Sequence, residues 1–282
     1  MMSLMEEFRI RRILFALDAA TDAPDSLEAA AEIAEKLNAE LIGLFVEDVN
    51  LLRSAALPFV REINLGTGGW REFSAENVER EIKGRAARAQ QRLEESARRR
   101  RLAFSFRVAR GDVSREVAAA AEDADLVILE GMTRPMGGSI RISSSARTAA
   151  RQSVRTVLVL RKGQLSARQF MVVYEGTEQS DKALAIAARL ANAAGASLRI
   201  LVIAADTPSA EAYEKRAREA IGRLGANATV ELLGEPTLID VCRFARRARD
   251  AVLVIGADSA LAQGASADEL IDQIACPLIY VR

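Results

Sequence analysis

The sequence predicts an α/β protein made of two tandem Rossmann-like units, each a five-stranded parallel sheet with helices on both faces. Three observations carry this. The stretch 12–46 (RILFALDAATDAPDSLEAAAEIAEKLNAELIGLFV) lies without a gap over 169–203 (QFMVVYEGTEQSDKALAIAARLANAAGASLRILVI), matching Leu27 with Leu184, Ala30 with Ala187, Ala34 with Ala191, Leu41 with Leu198 and Leu44 with Leu201. These positions follow helical spacing first and a strand run afterwards, so what repeats is a strand, helix, strand unit. Composition is the second: 50% of residues are apolar, only 5% are aromatic, and alanine abounds, which favours helices packed closely on a sheet over an all-β core. The third is the alternation of apolar runs with amphipathic stretches along both halves, the pattern of parallel strands joined by crossover helices.

A chain of 282 residues suits about two domains. The repeat divides it into 1–162 and 168–282, with the short polar tether KGQLSAR at 162–168 holding the halves against each other.

In the first half a strand is expected at 11–17, where ILFAL is apolar enough to be buried on both faces. A helix follows over 24–37, with Pro24 in its first turn. Strands are expected at 41–46 and 104–109, a helix over 113–122, a strand at 126–129, a glycine-rich loop, a short helix over 144–151 and a last strand at 156–161. The second half repeats the order, with strands at 170–174, 198–203, 229–233, 252–255 and 278–281 and helices over 180–194, 209–224, 236–248 and 267–273.

One insertion, 48–72, breaks the symmetry. Its Leu51, Leu52, Leu57, Phe59 and Trp70 need apolar cover, from their own domain or, through 50–70, from a homodimer or another partner protein. Under the second reading, deleting residues 50–70 should alter oligomeric mass. The helix that follows, over 74–99, puts Val78, Ile82, Ala86, Ala89, Leu93 and Ala97 on one stripe for packing on the sheet.

Charge and composition remove several function classes. Thirty-nine basic residues balance 39 acidic ones, against a protein that wraps nucleic acid. The run Arg98 to Arg101 closes a helix, where cations complement the macrodipole. Histidine is absent, so no Ser-His-Asp relay, histidine base or histidine metal ligand exists. Cys242 and Cys276 suit reduced packing positions. The opening MMSLMEEFRIRR lacks the apolar core of a signal peptide and no run approaches a membrane span, so a cytoplasmic location is expected.

Ligands of open parallel sheets bind outside the carboxyl ends of the strands, where the strand order reverses. That rule selects the first strand's end (Asp18, Ala19, Ala20), the second's (Val46, Glu47, Asp48), the loop from Gly131 and the helix start at Ser143 to Ser145. The loop GMTRPMGGSIRISSS has glycines, hydroxyls and two arginines ahead of a helix, which suits either phosphate binding or an ordinary surface loop with a serine N-cap. Its counterpart GADSALAQGASA is shorter and has no basic residue, so a triphosphate gains little there.

These segments resemble the universal stress protein family in its tandem form. The resemblance rests on ILFALD and MVVYEG, the alanine-rich first helix, RGDVSREV and GEPTLIDV, LVILEG and VLVIGA, and the closing CPLIYVR, in the same order in both halves. It implies an adenine nucleotide alpha hydrolase-like fold. It also implies that 156–161 and 278–282 face each other, as edge strands do across the two-fold axis of single-domain dimers.

Nucleotide-binding members resemble one another in an aspartate ending the first strand and in G-x-x-G, nine residues, then G-S or G-T. Asp18 and Gly131 match that pattern, whereas Arg134 replaces the second glycine, Ser143 and Ser144 replace the final pair, and the loop is one residue short. In the second half Glu175 replaces the aspartate and nothing after Gly256 fits. The resemblance therefore implies an ATP site at most in the first half, formed by Asp18, Ala19, Val46, Gly131, Gly137, Gly138, Ser143 and Ser144. The function it implies is a stress-response regulatory or binding protein, a nucleotide-responsive regulator or a partner-binding adaptor, acting by binding and not by turnover. The alternatives are a slow ATP hydrolase in the first half, with Asp18 orienting a cation, and a nucleotide-independent assembly protein.

Overall fold

The computed structural model describes residues 9–18, 24–55, 57, 61–63, 70–72, 75–131, 155–161, 167–234, 236–248, 250–263, 274 and 276–282. The first half contains β1 (Arg12–Asp18), α1 (Pro24–Leu37), β2 (Glu40–Asp48), α2 (Val49–Ala55), β3 (Arg61–Ile63), β4 (Trp70–Glu72), α3 (Ala75–Arg100), β5 (Phe104–Gly111), α4 (Val113–Ala121), β6 (Leu126–Gly131) and β7 (Thr156–Arg161). The second contains β8 (Gln169–Tyr174), α5 (Glu178–Ala194), β9 (Ser197–Ile203), α6 (Thr207–Leu224), β10 (Ala228–Gly234), α7 (Leu238–Arg247), β11 (Ala251–Gly256), α8 (Ala260–Gln263) and β12 (Leu278–Val281).

All but the small hairpin β3–β4 join one ten-stranded sheet in the order β10-β9-β8-β11-β12-β7-β6-β1-β2-β5. Each half is a parallel sheet with its first strand at the centre, flanked by its second and fourth. The halves meet through the antiparallel pair β7–β12, with Val157 opposite Tyr280, Leu158 opposite Ile279 and Val159 opposite Leu278, as the resemblance implies. Each edge strand thereby satisfies the ladder groups of the other. Because this pair is antiparallel, the carboxyl ends of the two half-sheets point to opposite edges of the molecule.

Alternation along each strand sends side chains to two apolar layers. Ile13, Phe15 and Leu17 join the layer formed with α1, α3, α5 and α6, while Leu14 and Ala16 join the one under α4 and α7. Both layers run through both halves. The alanines of the repeat let the helices approach closely: Ala30, Ala34, Ala187 and Ala191 are fully or almost fully buried, and α1 packs on α5 across the seam. At Gly43 of β2 a Cβ atom would lie 2.7 Å from Leu93 of α3 and 2.8 Å from Phe106, so contact at this distance requires glycine.

Helix ends follow local chemistry. Thr177, Asp206 and Thr237 cap α5, α6 and α7 by accepting amides of the first turn, and α5 and α6 stop at Gly195 and Gly225 in the left-handed conformation. The arginine run at the end of α3 has a further role. Arg100 pairs with Glu35 at 2.6 Å and with Glu28 at 3.3 Å, and Arg99 also pairs with Glu28, fastening α3 to α1.

The insertion contains elements that its periodicity does not announce, α2 and the β3–β4 hairpin. Leu51 and Leu52 pack on the core of their own half, and Ala55 is buried there. Leu57 is 44% exposed, and Phe59 lies outside the described residues, as do the helices expected over 144–151 and 267–273. Cys242 is buried, Cys276 is partly buried, and both are thiols.

Candidate functional site

In the first half, β1 is where the strand order reverses. Asp18 at its end lies opposite Val46 of β2. On the other side β1 pairs with β6 from Ile13↔Leu126 to Ala16↔Leu129, and two more residues in the same register bring Gly131 level with Asp18. Three of the expected site residues thus share one row across the carboxyl ends of adjacent strands. Val46 is 1% exposed and forms part of the apolar floor. Ala19, Gly137, Gly138, Ser143 and Ser144 lie outside the described residues.

Three polar ties shape the rim of this row. Ser26, fully buried in the first turn of α1, donates to Glu130 Oε1 at 2.7 Å, holding the helix start against the end of β6. Neither residue announces this bond in the sequence, because 104 positions separate them. At the end of β2, Asp48 accepts the amide of Asn50 at 2.8 Å, and Asp112 accepts that of Arg115 at 3.1 Å as the N-cap of α4. Hydrogen bonds from the Ser114 hydroxyl first, and the Arg115 amide next, hold the Asp112 carboxyl below its ordinary range.

The corresponding place in the second half is built differently. Glu175, just past β8, accepts the amide of Ala260 at the start of α8 at 3.1 Å. Burial pushes its carboxyl above the ordinary range, the hydrogen bonds from Ser259 and Ala260 oppose that shift, and Asp258 adds to it. Next to it, Gly176 has a φ of +70° and faces Tyr213 so closely that a Cβ would lie 2.3 Å from the ring. Arg216 of α6 donates to the Gly176 carbonyl at 3.0 Å and pairs with Asp181, which accepts the Tyr174 hydroxyl at 2.6 Å. Burial, then Asp181, push the Tyr174 hydroxyl well above its ordinary range. The loop after β8 is therefore fixed by its neighbours.

Among the described residues, no cluster of three His, Cys, Asp or Glu side chains forms a metal centre, and no helix is long and apolar enough to cross a membrane.

No family model matches this chain, and neither does any curated protein. Solved structures do. A universal stress protein from Archaeoglobus fulgidus DSM 4304 superposes with a TM-score of 0.72 over 98% of this chain and 99% of its own, at 14% identity. The chain has the tandem universal stress protein fold. A functionally unknown protein from Pseudomonas aeruginosa PAO1 gives a TM-score of 0.64 at 18% identity, covering 96% of this chain and 92% of its own. The cytoplasmic domain of a prokaryotic cation chloride cotransporter gives 0.52 at 12% identity, covering 96% and 95%. The universal stress fold thus occurs in proteins described very differently, so function has to be argued from the sites.

Proposed function

We propose that this protein acts by binding an adenine nucleotide in its first half alone, as a stress-response regulator without substantial turnover. The observation that carries this reading is the row Asp18, Val46 and Gly131 at the strand-order reversal, the place where open parallel sheets take ligands. In this reading Asp18 and Ala19 meet the nucleoside, Val46 forms the floor, and the phosphates lie along Gly131, Gly137, Gly138, Ser143 and Ser144. Backbone amides there, with Arg134 and Arg141 nearby in sequence, supply the attraction for anions. The first unit is 1–162 with its insertion at 48–72, and the second is 168–282. Support for assigning the ligand to the first unit comes from Glu175, which at the corresponding place in the second spans to the loop after β11 and accepts the Ala260 amide.

ATP is the ligand to test first. Calorimetric titration of the full chain with ATP and magnesium is expected to give one site per chain, lost in Asp18→Ala. No heat with the wild-type chain would overturn the reading. A slow ATP hydrolase is the second reading, favoured by Asp18 as a cation-orienting carboxylate; phosphate release abolished in Asp18→Ala would favour it over binding alone.

A further inference from the structure

The carboxylate of Glu175 sits where the chemistry of the second half gives it little reason to be. It is half-buried, Asp258 from the next strand's loop repels it, and desolvation weighs against its charge. Yet it reaches across from the end of β8 to the loop after β11, 85 positions away, and accepts the Ala260 amide. At its start that loop is also held to β12, the Ala257 amide donating to the Val281 carbonyl and the Tyr280 hydroxyl to the Ala257 carbonyl at 3.5 Å, and beyond it the bonds are short in range: the Ser259 amide to Gly256 and the Leu261 amide to the Ser259 hydroxyl at 3.3 Å.

The base of the span is unusually constrained. Arg216 holds the Gly176 carbonyl, Tyr213 covers Gly176, and Asp181 joins Arg216 to the Tyr174 hydroxyl, so residues on both sides of Glu175 are immobilised by α5 and α6. At the other end Gly256 lies against Gln179 of α5, 3.2 Å from where its Cβ would be. A fixed base, a carboxylate and a loop with short-range bonds beyond Ala257 are the parts of a clasp.

We propose that Glu175 is a built-in latch, its carboxylate spanning the carboxyl ends of β8 and β11 and holding residues 257–263 across the second half's strand-order reversal. A span from within makes the two halves unequal: the second reversal point is bridged by its own chain whatever the first half binds. The inference shares Glu175 with the nucleotide reading, but its test reads amides of the second half alone and stands or falls whether or not the first half binds a nucleotide.

Hydrogen exchange followed by mass spectrometry on the full chain at neutral pH tests it. In Glu175→Ala the amides of 257–263 are expected to exchange about tenfold faster, the consequence of losing the bonds from Ser259 and Ala260 that oppose a local opening. Segments 171–174 and 183–190 should exchange as in the wild type. Glu175→Gln, whose amide oxygen accepts the same bond, should keep 257–263 close to wild-type protection, and Glu175→Asp, one methylene shorter, should lose it without loss of the fold. Wild-type exchange at 257–263 in the Ala variant would overturn the latch. Should the Ala variant fail to fold, wild-type exchange in the Asp variant, or exchange in the Gln variant as fast as in the Asp variant, would overturn it equally.

Discussion

Ser26 Oγ donates to Glu130 Oε1 at 2.7 Å, joining the first turn of α1 to the last residues of β6 with no exposed surface on the serine. The bond ties together two elements that flank the proposed nucleotide row. A hydroxyl aimed at a carboxylate is a charge-assisted donor, stronger than a neutral one. Ser26→Ala leaves Glu130 one donor short, and a loss of about 1–3 kcal/mol is expected. The urea midpoint of the variant checks it; an unchanged midpoint would show that the bond is replaced by water at no cost.

Gly43 and Leu93 are expected to be energetically coupled. Alanine at 43 would bring its Cβ to 2.7 Å from Leu93 Cδ2 and 2.8 Å from Phe106 Cδ2, and Leu93 has no exposed surface into which to move. Gly43→Ala should cost about 1–3 kcal/mol as overpacking. In the double variant with Leu93→Ala the contact with Leu93 is relieved, so the loss in the double variant should be smaller than the sum of the two single losses. Strict additivity in a double-mutant cycle would mean that α3 shifts bodily instead.

Much of the architecture could be read from the chain because it is repeated. Strand identity followed from runs such as ILFAL, and the alanine positions of one half predicted the packed face of the other; Ala30 and Ala187 are both fully buried. The seam β7–β12 came from the family resemblance and not from any local signal. What escaped was long in range or short in length. Helix α2 has seven residues, too few for a 3.6-residue period to declare itself. Arg216, Asp181 and Tyr174 look like unrelated surface and core positions until α6 is laid beside α5. Glu175 was legible as a departure from aspartate; the extra methylene that carries it to Ala260 had no signature in sequence.

Thermal unfolding should be a single transition in spite of the duplication. Each apolar layer contains residues of both halves, Phe15 with Phe170 and Tyr174 in one, Leu14 with Met171 and Leu253 in the other, and α1 packs directly on α5. Neither half can open without exposing apolar surface of its partner. Differential scanning calorimetry is expected to give one peak whose calorimetric and van't Hoff enthalpies agree. Two resolved peaks would mean that the antiparallel seam transmits little.

The stability of the second half should fall as pH rises through the range where Glu175 ionises. Burial raises its folded-state value above that of the unfolded chain, Asp258 adds to the rise, and the bonds from Ser259 and Ala260 only partly offset it. Between the two values the unfolded chain has already released the proton that the folded chain still holds. The stabilising contribution of the protonated group is therefore complete below the ordinary glutamate range and is lost as pH climbs through the folded value. Glu175→Gln cannot ionise and keeps an acceptor for Ala260, so its urea midpoint relative to the wild type should improve steadily from mildly acidic to neutral pH. A difference that stays constant over that interval would mean that the carboxylate is fully compensated by its two donors, and a difference that shrinks would reverse the sign of the shift.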